Sequence, residues 1–165
     1  MPLDEFGETG RRILLTAESL FAEYGFDGIS LRQITVKAGV NLAAVNYHYS
    51  DKQSLCRELL VYRLREINQG RLSALSQAEA RAMGSLVSMH EIIDIMARPL
   101  FQPGGDPSAY NAASRRLLGR VFVEPLPFMA DILSAELQPA MTRFGQAIRR
   151  HAPSLSPPDF LWRLS

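Results

Sequence analysis

The stretch from position 30 to 55, SLRQITVKAGVNLAAVNYHYSDKQSL, constrains what this chain can fold into more than any other. Ser30, followed three residues later by Gln33, forms a capping box that supplies acceptors for the backbone N–H groups opening a short helix over residues 31–38. Gly39 ends that helix, because a residue without Cβ takes a positive φ at no steric cost and lets the chain turn sharply. Asn41 then caps a second helix. Within it Val45 and Tyr49 lie four apart on one face, against the apolar Ile34, Ala38 and Val40. Leu42, Ala43, Ala44, Asn46 and Tyr47 therefore look outward, with His48 at the margin. Two turns of helix do not offset the cost of nucleation, so other elements must hold this segment. The pattern predicts a helix-turn-helix.

The remainder supplies those elements as further helices. Thr9 is placed to cap a first helix, in which Ile13, Leu14, Ala17, Leu20, Phe21 and Tyr24 recur on one face until Gly25 stops it. Arg11 and Arg12 in its early turns fit either a solvated face or a phosphate partner. Ser50 and Gln53 form a second capping box that opens a long helix through Leu55, Leu59, Tyr62 and Ile67, weakened or ended near Gly70. A third box, Ser76 with Glu79, starts a helix through Met83, Leu86, Val87, His90, Ile93 and Met96 that Pro99 bends or ends. The segment FQPGGDP is a loop, with Asp106 capping and Pro107 at the first position of a helix through Leu117, Leu118, Val121 and Phe122. After the break VEPLPF, a helix is expected over residues 128–151, kinked at Pro139. No stretch alternates with period two for long enough to make a strand, so the fold class is all-α. A further helix start at Ser156 to Asp159 begins an apolar pattern that runs out at Ser165.

Composition excludes several classes. No run of eighteen apolar residues exists to cross a bilayer, and the N-terminal MPLDEFGETG is acidic where a secretory signal is basic, which points to the cytoplasm and away from membranes. Cys56 is the only cysteine, so no intrachain disulfide forms; a small buried side chain is its simplest reading. His48, His90 and His151 are too scattered for a metal site, and the His90/Asp94 pair lacks further ligands. The sequence has no P-loop, nucleophile elbow or dinucleotide fingerprint, so neither enzyme chemistry nor a cofactor is expected. The net charge of +1 gives no bulk attraction for nucleic acid; residues 1–70 hold eight Lys and Arg against nine Asp and Glu, a balance of −1. Any such attraction must come from where charges sit, as with Arg32, Lys37 and Lys52 against Asp51.

The run AGVNLAAVNYHYSDKQSL resembles the recognition segment of the TetR/AcrR family of bacterial one-component regulators: the Ala-Gly-Val turn, the Tyr-His-Tyr run and the Lys ahead of an apolar Leu stand at that family's spacings. With the preceding helix the motif covers roughly residues 9–55, a third of the chain, and Thr35 departs from the family's usual Ala. The resemblance implies an N-terminal helix-turn-helix DNA-binding domain, residues 1–55, joined by a long helix to a helical effector-binding and dimerisation domain, residues 56–165, which is expected to be truncated because members of the family go on to two further helices.

Chemistry then assigns roles. Asn46 has the two-pronged amide that pairs with an adenine edge, Ala43 and Ala44 allow close approach, and Leu42 or Ala44 can meet a thymine methyl. Tyr47, His48 and Lys52 stand where the family holds phosphates, Arg32 reaches a base or the backbone, and Ser30 and Asn41 complete the candidate DNA surface. The expected partners are a near-palindromic double-stranded operator, a second copy of the chain, and a small hydrophobic or aromatic effector. At helical spacing the second half's large side chains fit ordinary core; the resemblance adds a pocket reading, with Met83, His90, Met96, Phe101, Arg120, Phe122, Phe128 and Met129 as its candidates. The function expected is a ligand-responsive repressor. The near-neutral first half also fits a helical protein-interaction module that has lost DNA binding.

Overall fold

Capping and glycine chemistry shape the first third of the molecule much as the sequence leads one to expect. The computed structural model describes residues 6–101, 112–123 and 126–151, and every regular element among them is helical. Helix α1 (Gly7–Tyr24) buries Ile13, Leu14, Ala17 and Phe21 and stops at Gly25, whose φ of 78° carries the chain out of the helix. It begins two residues before Thr9, with no side-chain cap at Phe6. Helix α2 (Leu31–Ala38) has the full Ser30/Gln33 box, and Gly39 at φ 64° returns its N–H to Thr35 and Val36 carbonyls. Helix α3 (Leu42–Tyr49) is capped by Asn41, whose Oδ1 accepts from the Ala44 N–H at 2.7 Å.

Helix α4 (Lys52–Arg81) departs from expectation at both ends. Its cap is Asp51, accepting from the Ser54 N–H at 2.6 Å, because Ser50 is spent on the turn itself with φ 54°. The bonds from Ser54, backbone first and side chain second, hold the Asp51 carboxyl below its usual range. At the other end α4 runs through Gly70 and through the expected Ser76/Glu79 start, reaching 30 residues. Burial of Leu75 and Ala78 against later helices overrides both local signals. The turn falls instead at Met83 (φ 47°) and Gly84 (φ 91°). The serine-to-glutamate spacing that does start a helix is the later one: Ser88 Oγ accepts from the Glu91 N–H at 3.2 Å and opens α5 (Met89–Phe101). Pro99 lies inside α5 and Pro139 inside α7 (Met129–Arg149), with α6 (Ala112–Val123) between them. The expected starts at Asp106/Pro107 and at Ser156 lie outside the described residues.

Two apolar clusters form along α4. The first joins α1, α2, α3 and the first half of α4 to Leu117, Leu118 and Val121 of α6 and to Phe128, Met129 and Ile132, so it is continuous across position 55. The second is small, built from Leu75, Ala78, Val87, Ile92, Phe144, Ala147 and Ile148. Beside the first lies a buried ionic network. Arg63 and Glu18 are each 1% exposed and meet through two bonds of 2.7 Å, while Ser114 Oγ donates to Glu18 at 2.6 Å and Arg63 also reaches Glu66. Burial alone would lower the Arg63 pKa, but hydrogen bonds and charge from Glu18 outweigh it and raise it. Three helices, α1, α4 and α6, are thereby joined at one charged point.

Candidate nucleic-acid interface

Helix α3 presents one face to the core and the other to solvent. Val45 is fully buried, whereas Tyr47 is 86% exposed and Leu42, Ala43, Asn46 and His48 are also exposed; Ala44 is half-buried between them. Tyr49 fixes the angle of the helix. Its ring stacks on Phe6, and its hydroxyl donates to the Gly10 carbonyl at 2.7 Å inside the protein. Burial, and then the charge of Glu58, push that phenol well above its ordinary range, so it stays a neutral donor. Gly10 is buried and has His48 for a neighbour: a Cβ there would lie 3.2 Å from the ring Nδ1. The absence of a side chain at Gly10 is what lets α1 approach the end of α3.

The other candidate DNA residues divide by what their polar atoms already do. Ser30 Oγ and Asn41 Oδ1 are engaged in caps. Arg32 projects exposed from the first turn of α2. Lys52, expected on a phosphate, already has bonds within the protein. Its ammonium donates to the Phe26 and Ile29 carbonyls, both at 2.9 Å, and lies 4.3 Å over the Phe26 ring. Starting α4 at Lys52 aims this side chain at the α1–α2 connection, where carbonyls outside any helix need donors. It is an internal clasp.

Charge is distributed more informatively than the total suggests. Among the described residues Arg11, Arg12, Arg32 and Lys37 have no carboxylate partner, although Arg65, Arg81, Arg98 and Arg143 in the later part of the chain all do. Arg11, Arg12 and Lys37 line one shallow groove between α1 and α2 in which, among the described residues, Glu8 is the only acid. Arg11 and Arg12 thus belong to a cationic strip that local composition hides.

The expected effector residues do not converge. Met83 is 93% exposed, because α4 runs on to Arg81 and carries it into the turn that follows, and His90 is exposed at the start of α5. Met96 packs on the second cluster and Met129 is buried in the first. The side chains of Phe101 and Phe122 lie outside the described residues. Among the described candidates, Arg120 and Phe128 share a cavity of about 500 Å³, with Phe21, Gly25, Phe26 and Cys56 among its walls. Sequence reasoning missed Phe21, Phe26 and Cys56 because they look like plain core residues. Cys56 is buried, which pushes its thiol up to about 12 against a smaller opposing effect of Lys52. Among the described residues no three His, Cys, Asp or Glu side chains gather around a metal-sized space, and no helix is long and apolar enough to cross a membrane.

A short outward-facing helix, set by a glycine turn on a preceding helix and followed by a long one, defines the class: a helix-turn-helix protein. Comparison with known proteins narrows it. Residues 13–59 match the model for bacterial regulatory proteins of the tetR family, and residues 94–165 match the tetracyclin repressor-like C-terminal domain. The chain is 27% identical over 107 residues to the HTH-type transcriptional repressor AcnR of Corynebacterium glutamicum, covering 65% of this chain and 46% of that protein. It is 37% identical over 75 residues to the HTH-type transcriptional regulator AcrR of Shigella flexneri, covering 46% of this chain and 34% of that protein. The chain therefore spans under half the length of these relatives. It belongs to the TetR/AcrR family of transcriptional regulators, a family of regulators and not of enzymes.

Proposed function

We propose that this chain reads double-stranded DNA through α3 as a repressor and releases it when a small hydrophobic or aromatic effector binds. The supporting observation is the division of α3, with Asn46 and Tyr47 exposed on the side opposite buried Val45 and Tyr49. An amide on a short, exposed helix has the reach and bonding pattern to read an adenine edge in the major groove, and small Ala43 and Ala44 permit the approach. Tyr47, His48 and Arg32, with the unpaired Arg11, Arg12 and Lys37, supply phosphate contacts around it. Two copies on a near-palindromic operator place their reading helices about 34 Å apart. Because α4 begins two residues after α3 ends, a tilt of α4 changes that separation, provided the effector binds the two states with different affinity.

The test is fluorescence anisotropy on DNA flanking the coding region, with the full chain and its Asn46→Ala/Tyr47→Ala variant. Loss of one bidentate base contact, about 1–3 kcal/mol, predicts roughly tenfold or greater weakening. Unchanged affinity contradicts the site. The near-neutral N-terminal half favours one other reading, a protein-interaction module without DNA binding. Salt separates the two: phosphate-driven binding falls log-linearly with salt concentration, and an apolar protein interface responds little.

A further inference from the structure

We infer that the cavity between the α1–α2 connection and the α6–α7 corner is a binding site for a small aromatic carboxylate, and that its occupant acts directly on the reading head; the second half of this inference rests on the function proposed above. The cavity holds about 500 Å³, within the range of small-molecule sites. Its walls are mostly apolar and aromatic. Phe21 and Phe26 meet at 5.8 Å between ring centroids and Phe26 meets Phe128 edge-on at 6.1 Å, with Leu117 and Val121 of α6 opposite them. A flat ring fits between such edges and faces.

Among the described residues one cation, Arg120, lines this space. The Arg120 guanidinium lies against Gly25, where a Cβ would come within 3.1 Å of Nε, and its Nη1 donates to the Glu23 carbonyl at 3.2 Å. These contacts hold the planar fork in place at the cavity wall, and a fork of this kind matches a carboxylate in geometry and charge. Gln53 adds a second polar side chain, and Asp27, the acid of the lining, is solvent-exposed at the rim. Apolar walls with a few convergent polar groups are the usual composition of a ligand site.

The position of the cavity gives the occupant leverage. Phe26 is both a wall of the cavity and an acceptor for Lys52, whose ammonium ties the α1–α2 connection to the first residue of α4. A ring inserted beside Phe26 shifts that clasp, and with it the join between α3 and α4. Nothing has to be transmitted from the distant second cluster.

Calorimetric titration of the full chain with 2-naphthoate and its neutral counterpart 2-naphthamide tests the site. The acid should bind saturably and about tenfold tighter than the amide, the difference expected of one charge-assisted pair. Arg120→Gln should bring the acid down to the affinity of the amide, with circular dichroism melting as the check on folding. Val121→Phe, which fills the space and keeps the charge, should abolish binding of both. Equal affinity for acid and amide, no saturable binding at millimolar ligand, or undiminished binding to Val121→Phe overturns the proposal. Anisotropy with flanking DNA is run in parallel: naphthoate should weaken the complex, and naphthoate that binds without weakening it overturns the claim of action on the reading head. A chain that takes naphthoate but no DNA refutes the regulator reading and leaves the site standing.

Discussion

The two apolar clusters strung along α4 are held by different physics. The first encloses helices from both ends of the sequence and has beside it an ion pair with neither partner exposed to solvent. Among the described residues the second contains seven buried ones and is bordered by ion pairs, Arg81 with Glu91 and Arg98 with Asp94 at the surface, and Arg143 and Arg150 with a half-buried Glu79. Charges taken out of water are costly unless matched, so the first cluster tolerates little rearrangement around Glu18 and Arg63. Surface pairs are screened and break cheaply. The difference teaches where each job can sit: a reading helix needs a fixed platform, and α3 stands on the cluster whose contacts are hardest to exchange.

The sharpest way to break this contrast is Glu18→Ala. It takes both Glu18 bonds from a buried guanidinium that keeps Glu66, and it removes an acceptor of Ser114, so a loss of about 3 kcal/mol is expected in urea unfolding. A loss below about 1 kcal/mol would show that water reaches Arg63 and that the platform is not closed. Next in size is Tyr49→Phe, which deletes the buried hydroxyl bond to the Gly10 carbonyl, an oxygen that lies within α1; about 1 kcal/mol is expected by the same measurement. On the other side of the comparison, Arg81→Ala should cost well under 1 kcal/mol, in line with an exposed pair. The smallest effect is one of pH. Asp51 is held ionised by Ser54, so its contribution is present above the ordinary aspartate range and fades as pH falls through its lower folded value. Asp51→Asn keeps an acceptor for the cap and should flatten the acid limb of a thermal stability profile below about pH 4; an unchanged limb would remove Asp51 from the account.

How far the sequence could be read follows the same divide between local and distant causes. Helices α2 and α3 are legible because their caps, Ser30 with Gln33 and Asn41, and their turn at Gly39 are set within a few residues. The length of α4 is not, because two locally valid signals, Gly70 and the Ser76/Glu79 spacing, lose to burial of Leu75 and Ala78 by residues far along the chain. The outward set on α3 follows directly from Val45 and Tyr49 facing inward. Lys52 is legible only in part, since its motif position says nothing of the Phe26 and Ile29 carbonyls that its ammonium meets. The Glu18–Arg63 pair is separated by 45 positions and becomes visible only once α1 and α4 are packed. The described effector candidates lie apart for a related reason: apolar residues at helical spacing do not disclose which of several helices they face.

The central claim is that α3 reads DNA from a platform that does not depend on its outer face. Measuring DNA affinity and urea stability together for Asn46→Ala/Tyr47→Ala tests both parts at once. The account predicts at least a roughly tenfold loss of affinity with stability within about 0.5 kcal/mol of the parent, as for exposed positions generally. Parent-like affinity, or an affinity loss matched by unfolding, contradicts it.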